Sequence, residues 1–501
     1  MIHSDNNYNN DRNEILFFSV WRNQYLLSEI QRHHRLYNEN KKIVVNKSMD
    51  QLRYHPHRRY ATRIEIEVDE PLKPYGQVIP YGTSELHFFE GYNKQIKAGD
   101  IPTTVTSLKF SENYTHPFDI KSVVPPSATN LELDLYLFSF NQTLKVGDLP
   151  KTCKYLYLGS YDQPLQPNVL PAHLKRLFLT TFNHPLSYGV LPESITNLII
   201  FNQVVLPGTL PNSLTTLTFG YHFNQTVPPG TLPNNLKTLN FGIFFNQVVQ
   251  PDSLPNSLTT LTFAHCFNQV VSLGALPNSL TTLTFGYSFN QVIPPGALPN
   301  NLTTLKFGYD FNQAILPDTL PNSLTTLTFS YAILPGSLPN SLTTLKFGIH
   351  FNQVVLPGTL PNNLTTLTFG HRFNQVVLPN SLPNSLTTLT FGYSFNQVLL
   401  SDSLPNSLTT LTFGNHFNQV VLPGTLPNSL TTLTFGYYFN QVVLLGTLPN
   451  NLTTLTFGHR FNQVVLPGSL PNSLTTLTFG ADFNQVLPSD LKDYLVIQKK
   501  L

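Results

Sequence analysis

The chain repeats itself every 22 residues. Leu-Pro pairs stand at Leu210, Leu232, Leu254, Leu276, Leu298, Leu320, Leu338, Leu360, Leu382, Leu404, Leu426, Leu448 and Leu470. The interval is constant except from Leu320 to Leu338, where it is 18 because a Phe-Asn-Gln segment is missing. Upstream the pattern decays but is readable at Ile79-Pro80, Ile101-Pro102, Val124-Pro125, Leu149-Pro150, Leu170-Pro171 and Leu191-Pro192, and a truncated unit opens at Leu487. Such self-similarity turns 501 residues into about 19 copies of one structural unit rather than two or three domains.

A regular unit reads L-P-N-[SN]-L-T-T-L-T-F-G-x-x-F-N-Q-V-V-L-P-G-T, too short for a pair of helices. Leu214, Leu217 and Phe219 alternate at their end with Thr216 and Thr218, the pattern of a short strand with one buried face. Gly220 is expected to let the backbone leave the strand. Pro207-Gly208 has the residues a type II turn wants. One short strand per unit can bury its apolar side only against the next coil, so the coils must stack.

The spacing L-x-x-L-x-F resembles the strand half of a leucine-rich repeat, but Asn224 lies two positions beyond that family's turn asparagine. Flanked by Phe223 and Gln225, it resembles instead the FNIP repeat, a 22-residue relative named for Phe-Asn-Ile-Pro, written here mostly Phe-Asn-Gln-Val. The resemblance spans roughly Ile79 to Leu487. It implies a mainly β, leucine-rich-repeat-like, right-handed solenoid of about 19 coils with a parallel sheet, plus a short helical N-terminal segment. Stacking then predicts one buried column through Phe219, Phe241, Phe263, Phe285 and Phe307, a second through Phe223, Phe245, Phe267, Phe289 and Phe311, and an Asn ladder at Asn224 and its equivalents. The expected organisation is a polar, disordered tail (1–13), a helical segment (14–62), an N-terminal cap with decayed repeats (63–209), regular repeats (210–486) and a polar C-terminal cap (487–501). Arg63–Val68 reads as an edge strand covering the first coil.

Charge excludes several functions. Charged residues are 11% of the chain, against about 25% in ordinary domains. From Phe201 to Val486 five basic residues (Lys237, Lys306, Lys346, Arg372, Arg460) balance five acidic ones (Asp252, Asp310, Asp318, Asp402, Asp482). No basic stripe exists there for nucleic acid or an anionic membrane. Two distant cysteines, Cys153 and Cys266, form neither a disulfide framework nor a zinc motif. The polar, acidic start is unlike a secretory signal and no run of about 18 apolar residues occurs, so a cytoplasmic monomer is expected.

Reactive chemistry would have to come from the two residues after each strand glycine. Neighbouring units never combine a His, a carboxylate and a nucleophile there. Asp310 has no second carboxylate, His350 and His371 lack a third metal ligand, and His265 beside Cys266 has no further partner. With no phosphate-binding glycine loop either, the reading is a non-enzymatic protein without metal or cofactor.

Those two positions nevertheless vary while the rest of the unit barely changes. Tyr221, His222, Tyr287, Tyr309, Asp310, His371, Arg372, Tyr393, Tyr437, Tyr438, His459 and Arg460 are therefore the candidate contacts of a protein-interaction scaffold, being of types enriched in interface hot spots. Two other readings follow from resemblance. Glu14–Leu36 has an apolar helical face (Ile15, Phe18, Val20, Trp21, Tyr25, Leu26, Ile30); some FNIP proteins carry an F-box at this place, which would dock a Skp1-type adaptor of a ubiquitin ligase. The Thr216-x-Thr218 rows resemble the ice-binding arrays of β-solenoid antifreeze proteins, although Asn240, Lys306 and Lys346 interrupt them.

Overall fold

The computed structural model describes residues 23–72, 78–110, 113–116, 119–133, 143–159, 161–200, 202–330, 333–487 and 496–499, the last by backbone alone. The chain divides into two compact units, 1–214 and 215–501.

In the N-terminal unit helix α1 (Gln24–Asn40) starts where the Asn23 side chain accepts the N–H groups of Tyr25 and Leu26, satisfying two of its free donors. Its buried residue is Leu36, whereas Tyr25, Leu26 and Ile30 are exposed. Eight parallel strands follow: β1 (Lys42–Val45), β2 (Arg63–Ile66), β3 (Glu85–Phe88), β4 (Ser107–Phe110), β5 (Asn130–Leu133), β6 (Tyr155–Leu158), β7 (Arg176–Phe178) and β8 (Asn197–Ile200). The expectation of an edge strand at Arg63 is corrected: β2 pairs with β1 on one side and β3 on the other. The sheet thus begins inside the segment read as helical, because Lys-Ile-Val-Val supplies one more strand with alternate burial.

The C-terminal unit repeats one coil. Its strands run from β9 (Thr216–Phe219) and β10 (Thr238–Asn240) to β21 (Thr476–Phe479), each pairing with the next in parallel. Leu239 faces Leu217 and Leu261 in register, and the Thr residues on either side are half-buried. Register survives the 18-residue unit, where Thr326 pairs with Thr344 and Phe329 with Phe347, because the missing residues come from the return path. Val496–Lys499 adds a final strand, β22, to β21.

Three turns close each 22-residue coil. Phe245 N–H donates to Gly242 O, Thr231 N–H to Pro228 O and Leu236 N–H to Pro233 O, all at 3.1–3.2 Å. The Pro-Gly turn holds its third residue at positive φ, +80° at Gly208, and where glycine is absent Asp252, Asp318, Asn380 or Asp402 takes that place. Neighbouring coils are joined by side chains as well: Ser257 Oγ donates to Leu236 O (2.6 Å) and Thr259 Oγ1 to Lys237 O (3.1 Å).

The core is aromatic. Phe219 and Phe223 stack at 3.8 Å within a coil, and Phe219–Phe241 and Phe223–Phe245 stack at 5.5 and 6.0 Å between coils. Both expected columns form, and burying each ring contributes about 1.5–3 kcal/mol. In the N-terminal unit Tyr92, Tyr114, Tyr161 and Phe182 take the second column's place; the Tyr114 hydroxyl accepts the Ile96 N–H and the Tyr161 hydroxyl the Leu144 N–H. No helix among the described residues is long and apolar enough to cross a membrane.

The glycine after each strand has a different task from the one expected. Its φ is not positive; a Cβ on Gly392 would stand 1.7 Å from the carbonyl oxygen of Gly370, so the coils touch backbone to backbone. Ala264 and Ser330 occupy this column in two coils.

Candidate interaction surfaces on the coils

The variable pair occupies the two corner positions of the turn from Gly220 to Phe223, which tolerates most side chains and so explains its variety. The corner is ordered all the same. Ser288 N–H donates to His265 O (2.8 Å), Asp310 to Tyr287 O, Ser394 to His371 O and Arg460 to Tyr437 O (each 2.9 Å), forming a backbone ladder that needs no particular side chain.

Side chains on this ladder meet in columns. His265 stacks on Tyr287 and Tyr287 on Tyr309, both at 4.6 Å and within 8° of parallel. His371 stacks on Tyr393 at 4.6 Å, and Tyr437 on His459 at 4.7 Å. Where the short unit removes one pair, Tyr309 meets His350 edge-on at 4.4 Å. Ring faces are therefore spent on each other, and the column offers solvent ring edges, hydroxyls and imidazole nitrogens. Tyr221, His222, Tyr287, Asp310, His371, Arg372, Tyr393, Tyr438 and Arg460 are exposed; Tyr309, Tyr437 and His459 are half-buried.

Electrostatics divides the set. Arg460 and His459 are engaged by Asp482 of the next coil at 3.3 and 3.5 Å, and Arg460 lies 6.0 Å over the Tyr437 ring. Cys266 Sγ lies 3.9 Å from His265 Nδ1 in the column, and burial pushes the other thiol, Cys153, up to about 12. Among the described residues no three His, Cys, Asp or Glu side chains converge as metal ligands.

Below the corner runs the Asn ladder. Asn224 Oδ1 accepts the N–H of Asn246 at 2.9 Å and the Nε2 of Gln247 at 3.2 Å; the pattern runs to Asn312, breaks at the 18-residue unit that lacks this asparagine, and resumes from Asn352 to Asn484. In the N-terminal unit Asp162 substitutes as acceptor for Asn183, at 2.7 Å.

One surface escaped sequence reasoning. Outward positions filled by Thr in regular coils carry Tyr155 and Tyr157 on β6 and Arg176 and Phe178 on β7. Arg176 lies over the Tyr155 ring at 5.5 Å, and Tyr157 meets Phe178 at 5.8 Å. Lys151, Lys154 and Lys175 are exposed beside them, and among the described residues none of the three makes an ion pair. The available signal was K-Y-L-Y and K-R-L-F standing where regular units have T-T-L-T. The F-box-like stretch Glu14–Arg22, by contrast, lies outside the described residues.

One short parallel strand per 22 residues, returned by turns and an Asn ladder, defines a leucine-rich-repeat-type solenoid, a class that presents side chains on a stacked backbone. The chain belongs to the FNIP repeat family: FNIP repeats match at residues 92–136, 140–181, 182–222 and, in overlapping copies, from 223 to 492. A FNIP repeat-containing protein of Dictyostelium discoideum is 35% identical over 28% of this chain, which spans only about a third (34%) of that relative's length. Among solved structures, CroV588, described as a novel circular LRR protein, is 38% identical and superposes with a TM-score of 0.78, covering 90% of this chain and 71% of that one.

Proposed function

We propose that the chain is a non-enzymatic scaffold that binds a protein partner through the corner columns of its C-terminal unit. One observation carries the reading: at positions that vary from coil to coil, the corner pairs project stacked aromatic, His and Arg side chains from a hydrogen-bonded backbone. Tyr loses little entropy on contact because it has only two side-chain torsions, and Tyr and Arg are both enriched at interface centres. Proximity labelling in the native cell should recover a partner set that disappears when His371, Arg372, Tyr437 and Tyr438 are all replaced by Ala. An unchanged set would remove the columns as the binding surface.

The β6–β7 patch supports a second contact. Tyr155, Tyr157, Phe178 and Arg176, bordered by three exposed lysines that make no ion pair among the described residues, match an acidic partner segment. Lys154→Glu with Lys175→Glu should then remove a different, salt-sensitive subset of partners, and salt-insensitive loss would speak against charge pairing.

A further inference from the structure

Between the Asn ladder and the Pro-Gly turn, each coil of the C-terminal unit runs extended for three residues, and alternation decides which side chain is buried. Val421 is 3% exposed, while Val420 and Leu422 on either side are 43% and 50% exposed. Val443 and Val465 are likewise buried between exposed Val and Leu neighbours. Because coils stack in register, these outward residues form two adjacent aliphatic rows from Val354 and Leu356 to Val464 and Leu466, whereas in the earlier coils the second row carries Pro228, Gln250, Ser272 and Pro294. Leu334 continues the Leu row through the 18-residue unit. There the missing Phe-Asn-Gln segment leaves a notch of about 190 Å³ lined by Ile333, Pro335, Phe351 and Val354.

The rows expose on the order of 1,000 Å² of aliphatic surface, beyond the roughly 300–600 Å² of the largest patch on a typical monomer. A standard interface buries about 800 Å² per partner. We propose that this double row is where two copies of the chain pair, antiparallel about a twofold axis, in place of the monomer expected from sequence. A second copy is the occupant because its rows have the same coil-to-coil pitch, so Val and Leu of one chain can interdigitate with those of the other over the whole stripe. A partner without that period would match only locally. The rows carry no charge, so like surfaces meet without repulsion, and an isologous contact closes as a dimer. The notch accepts one aliphatic side chain of the partner, being larger than the ~150 Å³ cavity that holds a benzene.

Sedimentation velocity of the full chain over a range of micromolar concentrations tests this. The unmodified chain should sediment as a dimer. Val398→Thr, Val420→Thr and Val442→Thr together, near-isosteric changes at exposed sites, should weaken dimerisation by roughly tenfold or more, with circular dichroism and melting unchanged. His371→Ala with Arg372→Ala should leave the dimer intact, separating this interface from the corner columns. A monomer at every concentration overturns the proposal, as does a dimer indifferent to the three threonines. A monomer that floats with phosphatidylcholine vesicles would assign the rows to lipid, and also overturns it.

Discussion

The carbonyl oxygen of Gly220 lies 1.7 Å from the point that a Cβ on Gly242 would occupy. Successive coils therefore approach as closely as two backbones can, and the residue after each strand is held small by its neighbour rather than by its own dihedral angles. The turn glycines are the opposite case: Gly358 has open space around its Cβ position but a φ of +78°.

Two substitutions separate these causes. Gly392→Ala should cost about 1–3 kcal/mol, since a backbone must move. Gly358→Asn should cost only a few tenths, because Asn380 already adopts the same conformation at the equivalent place. Urea denaturation midpoints measure both, and equal losses would refute close approach as the reason for the strand glycine.

The ladder predicts an asymmetry between Asn396→Ala and Asn396→Asp. Asn396 Oδ1 accepts Asn418 N–H at 2.9 Å and Gln419 Nε2 at 3.1 Å, so alanine strands a part-buried N–H and should cost about 1–3 kcal/mol. Aspartate keeps the acceptor, as Asp162 does naturally, and should retain most of that stability. Hydrogen exchange at the Asn418 amide should quicken in the alanine variant alone.

Acid should loosen the first strands. Burial alone would push the Glu65 carboxyl up, but hydrogen bonds and charge from Lys42 (2.9 Å) and Arg63 (2.7 Å) outweigh it and hold the group below the usual carboxylate range. The ionised form therefore favours the folded state above the unfolded carboxylate value of about 4.3, and that contribution is lost as pH falls through the lower folded value. Glu65→Gln should weaken amide protection in β1–β3 at neutral pH, with the difference from wild type shrinking below about pH 4. A difference independent of pH would exclude charge as its source.

His371→Ala with Arg372→Ala should change stability by no more than about 0.5 kcal/mol, because the contact repeated at that corner from coil to coil is a backbone one, here the His371 carbonyl accepting from Ser394, and both side chains are exposed. Thermal melts check this, and a large loss would give the pair a structural task.

Most of the repeat was legible in the order of its residues. Strand, Pro-Gly turn, Phe columns and Asn ladder are local or nearest-neighbour features, and stacking near-identical units places equivalent residues over one another whatever the details. Thr216, Leu217 and Phe219 alternate because a strand does, and Asn224 finds Asn246 because the period is constant. What the sequence could not decide depends on the distance and direction between coils. Only the fold shows that Gly242 is squeezed by a neighbouring carbonyl, that Arg63–Ile66 is an interior strand, and that Tyr155 and Arg176 lie side by side on the sheet. The run Val420-Val421-Leu422 looks uniformly apolar on the page. The extended return path turns the middle residue into the core and leaves the outer two in water, because burial is set by which side of the backbone the next coil covers.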